Sequence, residues 1–152
     1  QVGCGIMVGS PYQTVETIYE DLCFMNELKP HMIGIGPFIP QKDTPFAEET
    51  AGSLKMTLKL LAIIRLLHPR VLLPATTALG TIHEKGRELG ILAGANVVMP
   101  NLSPMDIRDK YQLYDGKIYD GKESVEGDAK LVASMKAIGY TLVSERGDYK
   151  QA

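Results

Sequence analysis

The side chains best able to hold a metal or attack a substrate are few in this chain, and their spacing serves neither purpose. The two cysteines, Cys4 and Cys23, lack CxxC spacing, and the three histidines, His31, His68 and His83, form no HxxxH pair. A zinc site or a redox dithiol needs ligands brought together on one turn or one helix face. The cysteines therefore read as two buried thiols of a reducing compartment, and no metal site is expected from this chain alone. What remains are hydroxyls set among small apolar residues and prolines: Gly9-Ser10-Pro11, Gly36-Pro37-Phe38-Ile39-Pro40, Pro74-Ala75-Thr76-Thr77 and Met99-Pro100-Asn101. Such groups bind through backbone amides, hydroxyls and apolar walls. They include no carboxylate, imidazole, amine or thiol for acid–base or nucleophilic work. Polar chemistry beside them would have to come from a cofactor or from residues elsewhere.

Each of these runs follows a predicted strand. Val2 to Val8 is apolar with glycines and fits a buried strand. Thr14 is placed to N-cap a helix over about 14 to 28, where Val15, Ile18, Leu22 and Met25 recur at helical spacing and Pro30 ends the element. Met32 to Ile35 is a second strand, broken by the proline-rich run at 36 to 40. A loop of about 41 to 52 leads to Ser53 and a helix over 54 to 67, which is apolar nearly all round and so predicted to be well covered. Pro69 stops it. Val71 to Leu73 is a third strand, Glu84 to Ala93 a helix ended by Gly94, and Asn96 to Met99 a fourth strand. Ser103-Pro104 opens a short helix, 115 to 127 is a polar loop, and Ala129 to Ile138 is a last helix.

This order, β-α-β-α-β-α-β-α plus a C-terminal helix, predicts an α/β fold of parallel strands with helices packed outside. Four βα units are half of a (β/α)8 barrel of the TIM type, so the fold class is read as a parallel (β/α) half-barrel. An open flavodoxin-like sheet is the alternative, and periodicity does not separate the two. In either one, ligands bind at the C-terminal ends of the strands, where the four runs lie.

The 152 residues suit a single domain with a real core, at 45% hydrophobic and 22% charged residues and a formal net charge of −2. There is no basic excess for nucleic acid. Lys59 and Arg65 interrupt the longest apolar run, so no membrane span is expected. With no signal peptide visible, a cytoplasmic location is expected. The sequence opens at Gln1 directly into a strand, which suggests a piece of a longer polypeptide. Plainer roles stand beside the ligand-binding ones. Gly3, Gly5 and Gly9 form no proper GxGxxG, and glycines within strands often serve close packing. Thr76 and Thr77 could be a helix cap and turn. Met99 could be core, and Tyr111 and Tyr114 packing residues.

Several runs are more specific than their composition. GIGPFIPQKDTPFA, LLPATTALGTI, GANVVMPNLSP and YQLYDGKI, in this order and spacing, resemble the C-terminal half of a radical S-adenosylmethionine (SAM) enzyme of the biotin synthase class, in particular the HydE-type FeFe-hydrogenase maturases. GIMVGSPYQT resembles the glycine motif on the fifth barrel strand of that superfamily. The resemblance covers about residues 3 to 118. Biotin synthase itself fits less well, and methylornithine synthase is a further relative.

The resemblance implies a full (β/α)8 barrel whose first half carries a CxxxCxxC motif for a 4Fe-4S cluster that binds SAM. Reductive cleavage of SAM would give a 5′-deoxyadenosyl radical, used in HydE-type enzymes to build the hydrogenase cofactor. A radical needs a dry cavity with few quenching groups, which suits a rim without acids and bases. The resemblance places Gly5, Met7, Gly9, Pro37, Phe38 and Ile39 near the adenosine of SAM. It places Thr76, Thr77, Met99 and Tyr111 around the cavity for a small-molecule substrate. It also implies a domain over 1 to 147, with a biotin and thiamin synthesis associated region over about 30 to 140 and a frayed tail at 148 to 152. The chain lacks CxxxCxxC and has no cysteine after YQLY, so by itself it is expected to hold neither cluster nor SAM and to be inactive. Its partners are expected to be the missing N-terminal half of the barrel or, through open sheet edges and an apolar inner face, a second copy in a dimer. A non-catalytic half-barrel binding module is the competing reading.

Overall fold

Thr14 and Thr17 open the first helix by a reciprocal pair of bonds. The Thr17 amide donates to the Thr14 hydroxyl at 3.3 Å, and the Thr14 amide donates to the Thr17 hydroxyl at 3.0 Å. The computed structural model that shows this describes residues 1–99, 125–143 and 145–149, with backbone only for 125–128. Its elements are β1 (Gly3–Val8), α1 (Val15–Leu28), β2 (Met32–Pro37), α2 (Leu54–Leu67), β3 (Pro74–Ala75), α3 (Thr77–Ile82), α4 (Gly86–Leu92), β4 (Val97–Val98) and α5 (Val125–Ala137). α1 ends where Lys29 turns left-handed ahead of Pro30, its amide donating to the Met25 carbonyl at 3.0 Å. Ser53 caps α2 by accepting from the Met56 amide at 3.3 Å, and the helix stops at His68-Pro69.

All strand pairs are parallel. β1 pairs with β2 in the register Gly3↔Met32 to Val8↔Pro37, and β3 pairs with β4 through Pro74↔Val97 and Ala75↔Val98. The two short sheets are joined by a parallel bridge, Met32↔Leu72. There the Leu72 amide donates to the His31 carbonyl and the Ile33 amide to the Leu72 carbonyl, both at 2.9 Å. The fold is mixed α/β with short parallel strands.

Period-two alternation sorts the strand residues onto two faces. Val8, Ile33, Ile35 and Leu73 join Met25 of α1 and Leu60, Leu61 and Ile64 of α2 in one buried cluster. Gly3, Gly5 and Met7 of β1 and Met32, Gly34 and Gly36 of β2 form the opposite face. Gly5 and Gly34 are register partners there, and a Cβ built on Gly5 would collide with the Gly34 carbonyl.

Several expectations shift. The third strand lies at Pro74–Ala75 rather than Val71 to Leu73, which keeps only the bridge at Leu72. The predicted helix over 84 to 93 is the shorter α4, preceded by the unforeseen α3. α2 is covered on one face only: Thr57, Leu60, Leu61 and Ile64 are buried, whereas Leu66 is 81% exposed. Cys23 is exposed and Cys4 half-buried, so the two thiols are not a buried pair. The predicted helix at Ser103-Pro104 and most of the 115 to 127 loop lie outside the described residues. No helix among the described residues is long and apolar enough to cross a membrane.

Candidate functional site

The exits of β1 and β2 and the β3–α3 junction surround a cavity of about 560 Å³. Its walls are Ile6 and Met7 of β1, Gly34 to Ile39 of β2 and its exit, Gln41, Thr44 and Phe46 of the following loop, and Thr76, Thr77 and Ala78. This is the end of a parallel sheet where ligands commonly sit.

The backbone around Pro37 is tied down without help from side chains. Proline fixes φ and has no N–H. The Phe38 amide, the donor that remains beside Pro37, goes to the Val8 carbonyl at 2.9 Å, and the Phe38 carbonyl accepts from the Gly52 amide at 2.8 Å. The β1 exit, the β2 exit and the end of the long loop are thereby knitted together. The buried Phe38 ring meets Phe46 edge-on, with centroids 6.4 Å apart, and Phe46 meets Tyr12 in the same manner at 6.4 Å.

Thr76 supplies the site's most telling polar atom. It occupies the position before α3, yet its hydroxyl does not cap the helix. Its Oγ1 is buried without a hydrogen-bond partner, facing Gly36, where a Cβ would stand only 2.7 Å away. Thr57 marks the contrast: it is fully buried, but its hydroxyl donates to the Ser53 carbonyl at 2.9 Å. A buried hydroxyl without a partner is costly.

Among the described residues, none that lines the cavity carries an ionisable side chain. Cys4 packs on the helix-covered face, and burial raises its thiol pKa, so it is not poised as a thiolate nucleophile. No group of three His, Cys, Asp or Glu suited to a metal ion occurs among the described residues. The cavity can bind, shape and dry a ligand. Among the described residues its wall offers no group that moves a proton at neutral pH.

Of the residues singled out in the sequence, Met7, Pro37, Phe38, Ile39, Thr76 and Thr77 come together in this wall. Gly5 and Gly9 do not line it. Gly5 faces Gly34 across the strand pair, and Gly9 forms the turn after β1 with φ +77°. Met99 is 50% exposed, just beyond β4 and outside this wall. Tyr111 lies outside the described residues. Ile6, Gln41, Thr44 and Phe46 were not singled out. Phe46 carried a signal as the one aromatic between 41 and 52, whereas Gln41 and Thr44 were marked only by their place in the run GIGPFIPQKDTPFA.

No family model matches the chain. It is 51% identical over 118 residues to the [FeFe] hydrogenase maturase subunit HydE of Thermotoga maritima, which covers 78% of this chain and 34% of that protein. It is 34% identical over 131 residues to the 3-methylornithine synthase of Methanosarcina barkeri and 28% identical over 131 residues to that of Methanosarcina acetivorans. Each of these two matches covers 86% of this chain and 37% of the relative. The chain thus spans about a third of the length of the curated relatives it matches. These similarities fit a fragment of a radical SAM enzyme related to HydE.

Proposed function

We propose that this chain is the C-terminal (β/α) half-barrel of a HydE-like radical SAM enzyme that acts in FeFe-hydrogenase cofactor maturation. The observation that carries the reading is the 51% identity to HydE over 118 residues. The parallel strands and the cavity at their C-terminal ends support it. The longer matches to 3-methylornithine synthases favour a second reading, an enzyme acting on an amino-acid substrate in the same kind of cavity.

The cavity suits the nucleoside part of SAM. Pro37, Phe38 and Ile39 form a rigid apolar wall against which a base and ribose can lie. Met7 closes the adjoining side. Thr76 and Thr77 belong to the substrate, and the unpartnered Thr76 hydroxyl would donate to or accept from it. Met99 and Tyr111 are assigned to the same substrate space, and Gly5 and Gly9 to the backbone beside the nucleoside. The cluster does not fit here: Cys4 and Cys23 are two thiols where three are needed. A CxxxCxxC motif in another part of the polypeptide would hold it. SAM and the cluster, when bound, supply radical chemistry by reductive cleavage. The residues of this chain exclude water and orient the partners. The glycine face of β1 and β2 would be covered by the other half of the barrel or by a second copy of this chain.

Thr76→Val in the full-length protein tests the assignment. It replaces a hydroxyl by a methyl at nearly constant shape. Turnover of substrate is expected to fall about tenfold or more, as for a lost buried hydrogen bond, while deoxyadenosine release from SAM changes little. Equal loss of both would remove Thr76 from the substrate side.

A further inference from the structure

Gln13 lies outside the cavity wall, yet its side chain grips the strand that forms part of that wall. Its Oε1 accepts from the Gly9 amide at 2.6 Å, and its Nε2 donates to the Met7 carbonyl at 3.0 Å. One carboxamide thus satisfies a donor and an acceptor two residues apart, at the point where β1 leaves the sheet. The turn it closes is unusual. Gly9 has φ +77° and Tyr12 has φ +66°, so two residues within four positions are left-handed, one of them a bulky non-glycine. Such conformations persist where surrounding contacts over-determine them. The contacts here are the Gln13 carboxamide, the Gln13 amide bonded to the Ser10 carbonyl at 3.1 Å, and the Tyr12 ring against Phe46. Ser10 adds a long contact, its hydroxyl to the Met7 carbonyl at 3.4 Å.

We propose that Gln13 is a positioning residue for the cavity. By clamping the Met7 carbonyl and the Gly9 amide it fixes the backbone from Met7 to Gly9 and so holds the Met7 side chain against the bound nucleoside. Met7 is 61% exposed, and little packing holds it otherwise. Only a carboxamide of this length does both tasks. Leucine offers neither bond. Glutamate keeps the acceptor for Gly9 but sets a carboxylate oxygen against the Met7 carbonyl, acceptor facing acceptor. The proposal rests on reading the cavity as the nucleoside site.

The test titrates S-adenosylhomocysteine by calorimetry into the full-length, cluster-loaded protein and into its Gln13→Leu, Gln13→Glu and Ser10→Ala variants. It also follows the SAM-induced change in the reduced cluster's EPR spectrum. Affinity is expected to fall about tenfold in both Gln13 variants and less than twofold in Ser10→Ala, because only Gln13 makes short bonds to both backbone groups. The spectral change should need about tenfold more SAM in the Gln13 variants, with the ligand-free spectrum unaltered. Wild-type affinity in both Gln13 variants would overturn the proposal, as would an equal loss in Ser10→Ala, which would mean general damage to the turn. No binding by the wild type would instead refute the nucleoside reading, and the proposal with it.

Discussion

Gly5 and Gly34 stand opposite each other on the open face of β1 and β2, yet an added methyl group should have opposite effects at the two positions. A Cβ on Gly5 would strike the Gly34 carbonyl, with the Gly34 carbonyl carbon 2.9 Å and its Cα 3.2 Å away. All of these are backbone atoms, so relief requires the paired strands to separate. Overpacking of this kind costs roughly 1–3 kcal/mol, and against backbone the upper half of that range applies. Alanine also stiffens the unfolded chain, which returns about 0.4–1 kcal/mol where the native φ/ψ is acceptable. Neither glycine has positive φ. The net expectation for Gly5→Ala is a destabilisation of about 2 kcal/mol. At Gly34 an added Cβ meets nothing within 4 Å. Gly34→Ala should therefore leave stability unchanged or raise it by about 0.5 kcal/mol. The methyl would instead intrude on the cavity that Gly34 lines and weaken ligand binding. Urea unfolding followed by far-UV circular dichroism, with a common m-value, reads the roughly 2.5 kcal/mol gap between the variants. Equal stabilities, or Gly34→Ala as the weaker of the two, would refute the packing argument.

Two further outcomes follow from groups outside the cavity. Arg65 ties α2 to the turn after α4: its Nε donates to the Gly94 carbonyl at 2.7 Å, and its Nη1 donates to the Pro69 carbonyl at 2.8 Å and the His68 carbonyl at 3.3 Å. Arg65→Met should lower stability by about 2 kcal/mol in urea unfolding, since three carbonyls lose a charged donor, and a change below about 0.5 kcal/mol would count against that role. Burial holds the His68 pKa below the usual imidazole value, and its buried Nε2 has no partner. Above about pH 6.5 the folded and unfolded states both carry neutral His68, and the group adds no slope. As pH falls through that value the unfolded chain binds the proton first, so stability drops until the folded pKa is passed. Urea midpoints measured from pH 7.5 to 5 should show that fall, and His68→Leu should flatten it. An unchanged slope in the variant would assign the effect elsewhere.

Much of this architecture is legible in the residues because the signals are local. Thr14 and Ser53 announce the two long helices, and both cap them. Pro30 and Pro69 mark where those helices stop. The third strand is misplaced by the same logic. Val71 to Leu73 has the apolar residues, but the short ladder begins at Pro74, paired with Val97, and ends at Ala75, paired with Val98. A proline is tolerated at a strand's first position. α3 has two threonines and a glycine in six residues, poor helix formers that only packing beneath α4 makes helical. Period 3.6 identifies α2 but not which of its apolar faces finds cover, so the exposure of Leu66 had no sequence signal. Nor did that of Cys23. For the cavity, proline spacing and paired threonines pointed to Pro37, Phe38, Ile39, Thr76 and Thr77, a minority of the wall. The orphaned Thr76 hydroxyl and the Gln13 clamp depend on backbone placement across the chain, which no spacing encodes.

The central claim is that this chain is part of a radical SAM active site. Its most direct test is deoxyadenosine release from SAM by the full-length protein, reconstituted anaerobically with iron and sulfide and reduced by dithionite. The account predicts release that disappears when the cysteines of a CxxxCxxC motif elsewhere in the polypeptide are replaced by alanine. Release that survives this replacement, or none from a protein whose cluster is loaded and reduced, would contradict it.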